Sequence, residues 1–66
     1  MDIQINNKGI QINSAISVEN LITLQHISGN GIAVAINQSI IPKSEWATTI
    51  IKENDNILII TATQGG

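Results

Sequence analysis

The chain has no cysteine and a single histidine among its 66 residues. Neither a disulfide nor a structural zinc site can hold it together, and no thiolate chemistry is open to it. A domain of this length buries a small core and is marginal unless that core packs well. Apolar burial must therefore do the work. Sixteen isoleucines supply it, supported by Val18, Leu21, Leu24, Val34, Trp46 and Leu58. Burying an aliphatic side chain is worth roughly 1.5–3 kcal/mol, so about a dozen of them offset the chain entropy. Isoleucine is β-branched and favours strands, which points to a β-rich domain.

The order of apolar residues predicts where the elements lie. Ile3 and Ile5 alternate with Asp2, Gln4 and Asn6, and Ile10 and Ile12 alternate with Gln11 and Asn13. Between them, Asn6-Asn7-Lys8-Gly9 is turn chemistry, so residues 2–13 read as a β-hairpin. Ser17 is a sound N-cap, and Glu19 sits in the first turn of a helix expected over 18–26. Val18, Leu21, Ile22 and Gln25 share one face of that helix, with Leu24 flanking it. Ser28-Gly29-Asn30-Gly31 is its stop and exit.

Ile32 to Ile36 reads as a strand with large residues on one face and two alanines on the other. Asn37-Gln38 is a tight reversal. Ser39-Ile40-Ile41 is extended and ends at Pro42, which confines it to a sheet edge. Residues 43–47 suit a short helical or 3₁₀ turn, and Trp46 is expected to pack on the core there. Residues 48–51 run back towards the core, and residues 52–56 form a polar turn. The last strand is expected over 57–63. It is apolar on both faces, the mark of a central strand. With only one helix to cover the sheet, one face is expected to remain an exposed apolar patch. The order β-β-α-β-β-β gives an α+β domain with the helix on one sheet face.

Most function classes fit poorly. The net charge is -2 and the basic residues are Lys8, Lys43 and Lys52 alone, with no Phe or Tyr for base stacking. Nucleic-acid binding is excluded on that ground. No apolar run approaches the length of a membrane span. Met1-Asp2-Ile3-Gln4 lacks the basic and apolar regions of a signal peptide, so a cytoplasmic location, or an equivalent reducing compartment such as the plastid stroma, is expected. His26 reads as a solvated residue at the helix end, and Glu53 and Asp55 as flanks of a turn. No phosphate loop and no nucleophile–base spacing occurs, so the chain is not read as an enzyme.

What remains is the end of the chain, Gln64-Gly65-Gly66. Two glycines have no side chain and accept either sign of φ. Such a tail can thread a narrow slot and present its carboxylate inside another protein. By the alternation of the last strand, Ile57 and Ile59 should face the core. Leu58 and Ile60 should then face outwards and, with Gln64, form the surface that a partner reads. The expected division is a folded body over residues 1–63 and a flexible tail over 64–66.

The stretch Ala33-Val34-Ala35-Ile36-Asn37-Gln38-Ser39-Ile40-Ile41-Pro42-Lys43-Ser44-Glu45-Trp46 resembles a segment of the ThiS-type sulfur carriers of thiamine biosynthesis. That segment reads (A/V)-V-A-(I/V)-N-x-x-(I/V)-(I/V)-P-(R/K)-x-x-W. The terminal Gly65-Gly66 matches the family's functional signature. The chain departs from it at Glu53-Asn54-Asp55, where the family usually has Gly before the Asp, and Asn tolerates the same left-handed turn. It departs again at Gln64, in place of a small or apolar residue.

The resemblance implies a ubiquitin-like β-grasp fold with a mixed sheet of four to five strands, one main helix on one face and a flexible Gly-Gly tail. It also implies a mechanism with no bound cofactor. An E1-like adenylyltransferase uses ATP and Mg²⁺ to adenylate the Gly66 carboxylate. A cysteine desulfurase-derived persulfide then supplies sulfur, leaving a C-terminal thiocarboxylate, which thiazole synthase consumes. The alternatives are the small subunit of molybdopterin synthase, a ubiquitin-like protein modifier joined through Gly66, and a plain interaction module. Molybdopterin synthase small subunits are usually longer and Phe-rich, and they lack the Asn-to-Trp segment.

Overall fold

In the computed structural model, which describes residues 1–28 and 30–61, the first hairpin forms from β1 (Asp2–Ile5) and β2 (Lys8–Gln11). Asn6 and Asn7 make the turn at φ 51° and 69°. Two positive φ values define the turn whose twist matches that of antiparallel strands, and asparagine tolerates them. Ile3 pairs with Ile10 and Ile5 with Lys8.

The one α-helix among the described residues, α1 (Val18–Leu24), starts as expected: Ser17 Oγ accepts from the Asn20 N–H at 3.1 Å. Val18, Leu21 and Ile22 are buried, and Leu24 is exposed. The helix ends before the predicted residue 26. His26 adopts φ 58°, the Ile27 N–H reaches back to the Ile22 carbonyl at 3.2 Å, and the His26 N–H to that of Thr23 at 3.0 Å. These two bonds are a Schellman cap, in which the left-handed residue is usually glycine. Histidine in that place hides the stop from a reading that looks for glycine.

Residues β3 (Ile32–Ile36) and β4 (Ser39–Ile41) form a second hairpin, again through two left-handed residues, Asn37 at φ 50° and Gln38 at φ 74°. Pro42 ends β4, and a 3₁₀ turn over Lys43–Glu45 leads to Trp46. Trp46 is 4% exposed, and its indole N–H donates to the Ile41 carbonyl at 3.0 Å. The Lys43 ammonium sits 5.9 Å from the ring centroid, within cation–π range. Ile51 returns to the core and is fully buried.

The polar turn that follows contains Asn54 at φ 67°. It is tied by the Lys52 N–H to Asp55 Oδ2 at 2.7 Å and by the Asp2 N–H to Glu53 Oε2 at 2.9 Å. The last strand, β5 (Asn56–Thr61), starts one residue earlier than expected. Residues 62 and 63, which the reading assigns to this strand, and the tail 64–66 lie outside the described residues, and so does Gly29.

The five strands lie in the order β2-β1-β5-β3-β4. Strand β5 is central, parallel to β1 and antiparallel to β3. The sheet is therefore mixed, with one helix on one face: the β-grasp arrangement. Strand β4 is an edge, as Pro42 requires. Ile3, Ile5, Val34 and Ile57 from the sheet, Val18, Leu21 and Ile22 from α1, and Trp46 and Ile51 from the connection make the core.

Candidate functional site

Strand β5 presents apolar residues to both sides, and the helix covers only one. Ile57 is 0% exposed, whereas Leu58 and Ile60 are 44% and 48% exposed. The alternation therefore runs as expected, with Leu58 and Ile60 on the open face. Register extends the patch beyond β5. Ala35 pairs with Leu58 on one side and with Ile40 on the other, and Ala33 pairs with Ile60. In-register partners share a face, so Ile40, Ala35, Leu58, Ala33 and Ile60 form one surface. Ile40 is 67% exposed, while Ala35 between its two larger neighbours is only 6% exposed. The alanines on β3 thus act as a floor between two exposed rows.

The open face is divided. Over β1 and β2 it carries Asp2, Gln4, Gly9 and Gln11, paired Asp2 with Gln11 and Gln4 with Gly9. An apolar half over β4, β3 and β5 meets a polar half over β1 and β2. A shallow cleft of about 200 Å³ lies at one end of the apolar half, lined by Asn7, Ala35, Gln38, Asn56 and Leu58. An exposed apolar patch bounded by polar residues is the ordinary form of a protein-binding surface.

The other candidates resolve as structural. Ser17 is a cap. Glu53 and Asp55 accept backbone N–H groups, and Asp55 Oδ1 also accepts from Asn37 Nδ2 at 3.0 Å. His26 is exposed at the helix cap. Trp46 is a core residue, as expected. Among the described residues no group of three His, Cys, Asp or Glu side chains could hold a metal ion, and no helix is long and apolar enough to cross a membrane.

Of the predicted site residues, Leu58 and Ile60 come together on one strand, two residues apart. Gln64, Gly65 and Gly66 lie outside the described residues. Sequence reasoning missed Ile40. Its place beside Ala35 could be found only by setting the β3–β4 register from the Asn37-Gln38 turn and then continuing it across to β5.

The ThiS family model matches residues 3–66, the terminal glycines included. The chain is 33% identical over its full length to the whole of the sulfur carrier protein ThiS of Escherichia coli strain K12. Its fold is that of the thiamine biosynthesis protein ThiS from Geobacter metallireducens. The crystal structure of that protein superposes with a TM-score of 0.87 at 17% identity, with both chains covered in full. The solution structure superposes with a TM-score of 0.80 at 17% identity, over all of this chain and 88% of the other. A match that runs from the first strand to the terminal glycines, joined to full-length identity with a curated relative and a common fold, places this chain in the ThiS family.

Proposed function

We propose that the protein is a sulfur carrier for thiazole formation in thiamine biosynthesis, and that the carboxylate of Gly66 carries the sulfur. One observation supports this most: the family match extends through Gly65-Gly66. The full-length relative in Escherichia coli is itself a sulfur carrier protein.

The chemistry follows from the terminus. A carboxylate is a poor electrophile because its negative charge repels nucleophiles and oxide is a poor leaving group. An E1-like enzyme, using ATP and Mg²⁺, joins the Gly66 carboxylate to AMP and releases pyrophosphate. A persulfide derived from a cysteine desulfurase attacks the acyl carbon and AMP leaves. Reductive cleavage of the resulting acyl disulfide by a thiol frees the thiocarboxylate. That group is ionised and nucleophilic at neutral pH, as covalent-carrier chemistry requires. It then passes its sulfur to thiazole synthase. The glycines let the terminus enter each active site without a side chain in the way. Leu58, Ile60 and Gln64 form the surface that both enzymes read.

The test is intact mass spectrometry after incubation with ATP, Mg²⁺, an E1-like adenylating enzyme and a sulfur donor. Exchange of one oxygen for one sulfur, localised to Gly66, is expected. Absence of that exchange with each cognate enzyme, or conjugation of Gly66 to lysines instead, contradicts the reading.

A further inference from the structure

The two hairpins grip β5 through the same residue at the same place in the same turn. Asn6 and Asn37 each open a left-handed pair, at φ 51° and 50°. Asn37 holds the beginning of β5. Its N–H donates to the Asn56 carbonyl at 2.8 Å, and its Oδ1 accepts from the Asn56 N–H at 3.0 Å. Asn6 holds β5 further along. Its N–H donates to the Ile57 carbonyl at 2.9 Å. Its side-chain Oδ1 accepts from the Ile59 N–H at 2.8 Å, and its Nδ2 donates to the Ile59 carbonyl at 3.3 Å.

The Asn6 amide stands in for a missing piece of strand. Backbone pairing between β1 and β5 ends at Ile5 and Ile57, because the chain turns away at Asn6. A longer β1 would continue the ladder with one acceptor and one donor for Ile59. The side-chain amide offers both, since it carries the same two groups as a peptide. Ile59 lies between Leu58 and Ile60, two residues before Thr61, where β5 ends.

We propose that Asn6 is a positioning residue for partner recognition. By fixing the Ile59 peptide it sets how its neighbours Leu58 and Ile60 are presented. This role rests on the sulfur-carrier reading. Asn37 is its internal control: its turn has the same conformation and it makes the same kind of clamp, but at the end of β5 away from Thr61.

The experiment compares Asn6→Gly with Asn37→Gly in the full chain. Glycine keeps the left-handed turn without strain, so Asn6→Gly removes the two amide bonds to Ile59, and Asn37→Gly removes the bond to Asn56 together with the one to Asp55. Three quantities are read: melting temperature, exchange of the Ile59 amide by NMR, and the KM and kcat of the adenylating enzyme for the carrier. Both variants are expected to lower the melting temperature by similar amounts. Only Asn6→Gly should speed Ile59 exchange and raise KM roughly fivefold with kcat little changed, the value of about one hydrogen bond. Asn6→Asp keeps the acceptor for the Ile59 N–H but turns a second oxygen on the Ile59 carbonyl, and it should raise KM in the same direction.

Equal KM changes in the two glycine variants, in step with their melting temperatures, overturn the proposal and leave Asn6 a purely structural residue. So does an unchanged KM for Asn6→Gly in a wild-type background that is adenylated normally. A wild-type chain that is not adenylated at all, while Asn6→Gly still speeds Ile59 exchange, overturns the carrier reading and this role with it. The clamp itself would then stand as structure.

Discussion

The two faces of β5 are built from the same kind of residue and meet opposite fates. Ile57 faces α1 and is sealed from water; Leu58, the next residue, is 44% exposed, and Ile60 is 48% exposed. Composition does not separate them, since all are large aliphatics. Coverage does: among the described residues the fold provides one α-helix for a sheet with two faces. The inner face is therefore where the chain gains its stability. The outer face keeps apolar area in contact with water at Ile40, Leu58 and Ile60.

The largest effect that could break this contrast is on the inner face. Ile57→Ala is expected to cost about 3 kcal/mol, from lost transfer energy and the cavity left behind. Urea denaturation measures it, and loss of less than about 1 kcal/mol would mean that β5 is not the core strand described. On the outer face the sign of the experiment changes. Ile60→Asp should alter stability by no more than about 0.5 kcal/mol, as substitutions away from the core do. It should raise the KM for adenylation at least about tenfold, because an aspartate must be desolvated against an apolar partner. A variant that unfolds, or one that is adenylated normally, would erase the distinction between the faces.

Two smaller effects sharpen it. His26 holds a left-handed φ at the helix cap, where an L-residue costs energy that glycine does not. His26→Gly should therefore stabilise the chain by about 0.5–1 kcal/mol in thermal melts, with adenylation unchanged because α1 lies on the covered face. Ile40→Thr probes how far the outer surface extends. Ile40 is two strands from β5, reached through Ala35. Its effect on KM is expected to stay below about threefold, near 0.6 kcal/mol, and a loss matching that of Ile60→Asp would move the centre of the surface onto β4.

Much of this was legible along the chain because it depends on neighbours in sequence. Asn6, Asn7 and Asn37 tolerate the left-handed turn, Pro42 marks an edge, and alternation assigns Ile57 and Leu58 to opposite faces. The helix end was not legible. Its cap uses histidine in a place where glycine is the usual signal. The amide clamps were hidden for a different reason. Asn6 and Ile59 are 53 residues apart, and only the parallel register of β1 on β5 brings them together. Ile40 was missed in the same way, since its link to Leu58 passes through a third strand. Local chemistry wrote the elements, while the extent of the outer surface came from how they were laid side by side.

The contrast matters functionally only if the chain's end is what partners act upon. Appending one residue after Gly66 tests this most directly, because it leaves both faces of the sheet and both glycines in place and moves only the carboxylate. Intact mass spectrometry should show the native chain gaining one sulfur for one oxygen and the extended chain gaining none. Equal sulfur loading of the two chains would contradict the account.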